Sequence, residues 1–134
     1  MEIKEVEKLI VEKKDISISE FEEEFIKTKY LNIVDKDSFA NKLAKTCIDQ
    51  DEYGISYINN FYYKILPVWF TTNLYTTIAI DSDDVVEFYD VVAENKDNSN
   101  FAKYLYRLWE ICSDALDFIN LAEEITVEIV TGSY

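Results

Sequence analysis

The sequence predicts a mainly α fold: one compact acidic domain over 1–134, with about five to seven helices and minor β at 30–34 and 125–131. Three observations carry this. Apolar residues recur at helical spacing along most of the chain. Capping residues (Ser, Asp, Asn) stand just before those runs. One stretch, Tyr53 to Ile80, reads YGISYINNFYYKILPVWFTTNLYTTIAI and has Lys64 as its only charged residue in a chain that is 30% charged. Such a gap signals burial, so the other helices are expected to wrap around it. A chain of 134 residues that is 49% apolar can bury about two thirds of its unfolded surface.

Ile3, Val6 and Ile10 mark an amphipathic helix over 2–14. Ser17 with Glu20 forms a capping box, and Ile16 with Phe21 the staple beside it, opening a helix over 18–28. Tyr30–Val34 reads as a short extended segment, after which Asp35 or Asp37 caps a helix carrying Phe39, Leu43, Cys47 and Ile48. The turn DQDEYG comes next, with Gly54 suited to positive φ. In the central stretch Phe61, Ile65, Val68 or Trp69, and Thr72 favour helix, which Pro67 should kink or split. Its β-branched and aromatic residues keep a strand open for 68–80. Asp81 or Ser82 caps a helix over 83–95, and Ser99 or Asn100 caps the longest helix, 101–124. ITVEIVT at 125–131 alternates as a strand would, ending at Gly132.

The formal charge is −14, from 27 acids and 13 bases. Residues 1–50 hold 12 acids and 9 lysines, whereas residues 81–128 hold 13 acids and three bases, so the field lies in the C-terminal half. Direct binding to nucleic acid or anionic membrane is disfavoured, because both require positive charge. Asn59, Asn60, Lys64, Asn73 and the threonines of the central stretch argue against a membrane span. The opening MEIKEVEKLI is charged throughout, unlike a signal peptide. Cys47 and Cys112 both fall on apolar helix faces, where reduced, buried thiols are expected.

At about 100° per residue, Asp83, Glu87, Asp90 and Glu94 share one face of their helix. Glu110, Asp114, Asp117 and Glu124 lie opposite the apolar line Phe101, Leu105, Leu108, Cys112, Ala115, Ile119. Like charges at i,i+4 are mildly destabilising, so these rows are either solvating faces or a surface for a basic partner. Helix-surface neighbours sit about 5–6 Å apart, not far from phosphate spacing, which admits DNA mimicry. Ten tyrosines exceed what a core of this size needs; Tyr57, Tyr62, Tyr63 and Tyr106 are candidates for an aromatic interaction edge, with Tyr104 beside them.

Motifs for chemistry are few. No histidine is present, so Ser-His catalysis is excluded. Two glycines cannot build a phosphate-binding loop. Asp49, Asp51 and Gly54 match part of a calcium loop, but Asn60 stands where a bidentate Glu is needed. Asp81, Asp83 and Asp84 read as a helix cap. No cofactor, metal or catalytic residue is expected.

The order Tyr30-Leu31, the helix after Asp37, Tyr53-Gly54-Ile55, Leu74-Tyr75-Thr76-Thr77-Ile78 and Tyr89-Asp90 resembles small acidic uncharacterised proteins of tailed bacteriophages of low-GC Gram-positive bacteria, over roughly 28–95. The resemblance implies a virion structural or assembly component, acting in the host cytoplasm during infection or within the virion. The chain is accordingly expected to be a non-enzymatic protein-interaction protein, including a homo-oligomer, or else an acidic DNA-mimic inhibitor of a host restriction or CRISPR protein.

Overall fold

The computed structural model describes residues 1–132 as seven α-helices, a two-stranded hairpin and two 3-10 turns. Helix α1 is Ile3–Glu12, burying Ile3, Val6 and Ile10. Helix α2 is Ile18–Phe25, and the expected box is formed: Ser17 Oγ accepts from the Glu20 backbone N–H at 3.1 Å and donates to Glu20 Oε1 at 2.9 Å.

Helix α3, Ile33–Thr46, begins earlier than expected. Asn32 caps it, its side-chain oxygen accepting from Asp35 N at 2.9 Å, so neither Asp35 nor Asp37 is the cap. The strand expected at 30–34 is therefore absent; Ile33 and Val34 occupy the first helical turn with their side chains exposed. The β structure lies instead at β1, Ile48–Gln50, and β2, Ser56–Ile58, paired antiparallel with Asp49 opposite Tyr57. Asp51 organises the intervening turn by accepting from Tyr53 N and Ile55 N, and Gly54 sits at φ +77°. The acids that partly match a calcium loop are thus turn-builders; Asp49 accepts from the Asn59 amide at 2.7 Å.

Helix α4, Asn60–Tyr75, is capped by Asn59 and runs unbroken through Pro67, without the expected division and without a strand at 68–80. Pro67 cannot donate to the Tyr63 carbonyl, and packing on α3, α5, α6 and α7 holds the helix nonetheless. Residues 76–80 form a strap tied back onto α4. Asn73 accepts from Ile80 N at 2.8 Å, Trp69 Nε1 donates to the Ile80 carbonyl at 2.9 Å, and Thr76 makes one bridge to Ile26. Asn73 thus finds partners on the strap, whereas Asn59 pairs with Asp49, Thr71 donates back to the Pro67 carbonyl, and the buried Thr72 hydroxyl has no partner among the described residues.

Asp81 caps a 3-10 turn, Ser82–Asp84, that leads into α5, Val85–Asn95. Ser99 caps α6, but α6 ends at Tyr106. The single helix expected over 101–124 is divided by a 3-10 turn at Leu108–Glu110, and α7 occupies Ser113–Thr131. Helix α7 takes in the whole segment expected as a strand at 125–131. Ile125 and Thr126 are buried while Val127 and Glu128 are exposed, a helical pattern, and extending an existing helix is easier than starting a strand. Gly132, at φ +77°, terminates it.

Three helices make the inner layer. Lys36 of α3 meets Asp114 of α7 near both N-termini, while Leu43 and Cys47 share a cleft with Ala122 and Thr126, so α3 and α7 run parallel. Helix α4 lies against them in the opposite sense, with Tyr75 at Asp114 and Tyr63 near Glu123. Helices α1, α5 and α6 form a second group on the far side of α4, joined by α2 through Phe21, Phe25, Phe101 and Tyr104 at ring separations of 5.1–5.9 Å. Cys47 and Cys112 are buried and unpaired.

Because Asn73 is the main tie on the strap, Asn73→Ala should cost about 1–3 kcal/mol. Amide exchange at Ile80 should accelerate well before the global transition. Unchanged protection at Ile80 would show that the other ties, Trp69 to the Ile80 carbonyl and Thr77 N to the Phe25 carbonyl, hold the strap without Asn73.

Candidate functional site

The most strongly interacting polar group in the molecule is internal. Asp114, in the first turn of α7, is 5% exposed, and Lys36, in the first turn of α3, is 7% exposed. Lys36 Nζ donates to Asp114 Oδ1 at 2.6 Å, while Tyr75 Oη donates to Oδ2 at 2.7 Å and Leu31 N to Oδ2 at 3.0 Å. The Tyr30 ring lies 4.6 Å from Lys36 Nζ. Burial by itself would raise the Asp114 pKa, but the bonds from Lys36, Tyr75 and Leu31 outweigh it and hold the carboxyl below its usual value. The Tyr75 phenol is raised, by burial first and then by its bond to Asp114. A perturbed cluster of this kind is a signature of reactive sites. Here both carboxylate oxygens are committed to internal donors, so the cluster acts as a clamp.

The sequence places Asp114 in the second acidic row, on an outward face, and the structure overturns this: it is the most interior acid among the described residues. The break at 107–112 rotates α7 relative to α6, so face arithmetic carried across it fails. Glu110 falls on the 3-10 turn and pairs with Arg107 at 3.4 Å, while Asp117 and Glu124 remain exposed on α7. The expected row is therefore broken at Glu110 and Asp114, and what α7 keeps is a shorter one, Asp117, Glu124 and Glu128, all exposed. The first row is as expected. Asp83, Glu87, Asp90 and Glu94 are all exposed, and among the described residues no lysine or arginine lies within 4 Å of any of them. The principal neighbours of α5 are α1, α4 and α6, and those of α7 are α3, α4 and the hairpin, so the surviving acids of α7 do not extend the α5 row.

The aromatic edge divides in two. Tyr57 and Tyr62 are exposed. Beside them stand Tyr53, Ile55 and Phe61, also exposed, giving five large apolar side chains on the surface between residues 53 and 62. The Phe61 and Tyr62 rings lie 5.5 Å apart. The missing members were readable in the sequence, since the hairpin tip and first helical turn are where a chain meets solvent. A second exposed apolar group, Tyr30, Ile33 and Val34, lies at the opposite end of α3, about 21 Å away along the 14-residue helix.

Tyr63 and Tyr106, by contrast, are half-buried in a cleft of about 290 Å³ between α3, α4, the α6 end and α7. Tyr89 and Trp109 complete its aromatic wall, and Cys47, Val68 and Ile119 its floor. Burial pushes the Cys47 thiol up to about 11, which leaves it protonated and a poor nucleophile at neutral pH. Tyr63 is raised by burial and then by the Glu123 charge, and burial beside Tyr106 pushes Tyr89 up to about 12. Among the described residues no three His, Cys, Asp or Glu side chains are grouped to hold a metal ion, and no helix is long and apolar enough to cross a membrane.

The fold and these surfaces describe a small helical domain with an internal ionic clamp, one unneutralised acidic row and an exposed apolar hairpin. No protein-family model, curated protein or solved structure matches the chain.

The clamp sets a stability prediction. Asp114→Asn leaves Lys36 buried without a counter-charge and should cost about 3–5 kcal/mol, lowering Tm by on the order of 10–20 °C. The joint change Lys36→Met with Asp114→Leu should recover part of that loss, the Leu31 N–H being left without its acceptor. Asp114 has a depressed folded pKa, so its contribution is fully present above the unfolded carboxylate value of about 3.9 and disappears as pH falls through the folded value. The stability gap between wild type and Asp114→Asn should therefore close on acidification below pH ~4. A gap unchanged from neutrality to pH ~2 would contradict the assignment.

Proposed function

We propose that this chain is a non-enzymatic protein-interaction subunit whose contact surface is the hairpin and first turn of α4. The observation that carries it is the cluster Tyr53, Ile55, Tyr57, Phe61 and Tyr62, all exposed within ten residues. Tyrosine and phenylalanine are residues that interface cores favour, and an apolar group this dense is unusual on a surface otherwise rich in acids. Tyr30, Ile33 and Val34 at the far end of α3 supply a second apolar surface of different shape. Two unlike surfaces at opposite ends suit head-to-tail contacts, which close into rings or extend as filaments. That geometry fits the role the sequence resemblance implies, a structural or assembly component of a phage particle. The test is light scattering across concentration with Tyr57→Ser/Phe61→Ser as the variant. Wild type should self-associate through an interface on the order of 1,000 Å² or more. The variant should be monomeric, with a Tm equal to that of wild type at dilutions where wild type is monomeric too, since both residues are solvent-facing. A wild type that stays monomeric at about 0.1 mM and keeps its partners in both forms would overturn the proposal.

A second reading, an acidic inhibitor of a basic host protein, is favoured by the α5 row alone. Four exposed carboxylates without counter-ions would steer a basic partner and lose that steering as salt rises. The exposed acids of α7, Asp117, Glu124 and Glu128, do not extend the α5 row, since α5 and α7 have different principal neighbours, and this narrows it from groove mimicry to a single-helix contact. Asp83→Asn, Glu87→Gln and Asp90→Asn together should abolish binding to such a partner while Tm holds or rises, because like-charge pairs are removed. Affinity unchanged in the triple variant, or insensitive to salt, would remove this reading.

A further inference from the structure

Beyond residue 50 the chain contains four basic residues, Lys64, Lys96, Lys103 and Arg107. All four line two adjoining concavities that share Tyr106 and Arg107: the 290 Å³ aromatic cleft and a shallower one beside it. Lys96 Nζ and the Arg107 guanidinium lie 5.6 and 5.7 Å from the Tyr106 ring. Lys96 and Arg107 each have one exposed acid nearby, Asp97 at 3.3 Å and Glu110 at 3.4 Å. Exposed pairs of this kind contribute little. Lys64 and Lys103 have no carboxylate within 4 Å among the described residues. Glu123 is the one acid in the wall of the cleft itself among the described residues. The two concavities together present four cations and three acids (Asp97, Glu110, Glu123), a local excess of positive charge on a molecule of net −14. Gathering like charges around two adjoining hollows is unfavourable unless something of opposite sign occupies the space between them.

We infer that the cleft is a binding site for a small amphipathic anion: an aromatic body seated among Tyr63, Tyr89 and Trp109, with a carboxylate or similar head at the rim between Lys64 and Arg107. The volume equals that of about ten waters, which limits the body to one or two fused rings. Aromatic walls favour a ring ligand through offset and edge-to-face contacts. Arg107 suits a planar anionic head, since its guanidinium can bond both oxygens at once. The inference is independent of the hairpin surface, and either can fail alone.

The experiment is calorimetric titration of the full chain with three probes of one shape: 2-naphthoate, neutral 2-naphthamide and cationic 2-naphthylmethylammonium. For so small a ligand 2-naphthoate should bind with Kd on the order of 0.1 mM. The amide should be about tenfold weaker and the cation weaker still. Lys64→Gln/Arg107→Gln should bring 2-naphthoate down to the amide's affinity and leave the amide unaffected, and Lys8→Gln, on α1 and lining neither concavity, should change nothing. Both rim positions are exposed, so folding should be intact; each single variant, with about a threefold loss expected, covers the case in which the pair destabilises. Equal affinity for all three probes, tighter binding of the cation, no saturation by 2-naphthoate below about 10 mM, or rim variants that bind it as wild type does would each overturn the inference.

Discussion

Lys36 and Asp114 lie 78 positions apart in sequence, and the 2.6 Å bond between them fixes how the inner helices are arranged. An ion pair removed from water costs several kcal/mol per charge unless nearly every remaining lone pair and proton finds a partner. Tyr75 and the Leu31 amide supply those partners, from α4 and from the loop before α3. One carboxylate thus ties four separate parts of the chain. The constraint is directional: both charged residues occupy first helical turns, so α3 and α7 must start together and run side by side. Asp114 also sits at the positive end of α7's own dipole, where a carboxylate is favoured. A hydrophobic substitute could fill the same volume, but it would not specify which turn of α7 faces which turn of α3.

Parallel packing of α3 and α7 in turn requires the chain to change course before Ser113. A continuous helix from 101 onward could bury Phe101, Leu105 and Leu108, but it would carry Asp114 to the outside. The 3-10 turn at Leu108–Glu110 keeps Leu108 and Cys112 buried and re-aims the chain as it enters α7. The same turn places Tyr106, Arg107 and Trp109 around the mouth of the cleft. The clamp at one end of α7 and the opening at its middle are therefore consequences of one interruption. Pro67 stands on the opposite wall, where its missing N–H leaves α4 less tightly bonded on the side facing that opening.

Much of this is legible in the sequence because it depends on local chemistry. The box at Ser17 and Glu20, the Ser99 cap, the Gly54 turn and the α5 row each involve residues within one or two turns of one another. Burial of the sparsely charged middle is legible for its second half only: Ile65, Leu66, Val68 and Phe70 are buried as the missing charge predicts, whereas none of residues 53–64 is, because the hairpin and the first turn of α4 carry that half to the surface. The features that escape are those set by distance. Asp114 looks like any other acid on a helical wheel until Lys36 is brought to it, and no spacing rule connects the two. The break before α7 carries no glycine or proline; its one local sign is Ser113-Asp114, a pair typical of a helix start. ITVEIVT misleads because alternation over seven residues satisfies a strand and, with Ile125, Thr126 and Ile129, a helix face as well. Asn32 is hard to single out as a cap because two aspartates stand just after it.

The distribution of charge is then the part of the structure that stability does not require. A protein concerned only with solubility would intersperse lysines among its acids, as α1 does with Lys8 and Glu12. Here four of the nine lysines in residues 1–50 pair with acids, Lys8, Lys13 and Lys29 with exposed ones and Lys36 in the clamp. The four bases of the remainder are collected at one rim, and α5 is left with none on its outer face. Separating charge in this way costs a little at every like-charged pair, and the cost recurs at two places whose signs are opposite. Surfaces differentiated by sign, with an apolar hairpin apart from both, are suited to holding distinct partners at once. That separation, more than any single residue, is what supports the proposed reading of the chain as an interaction subunit.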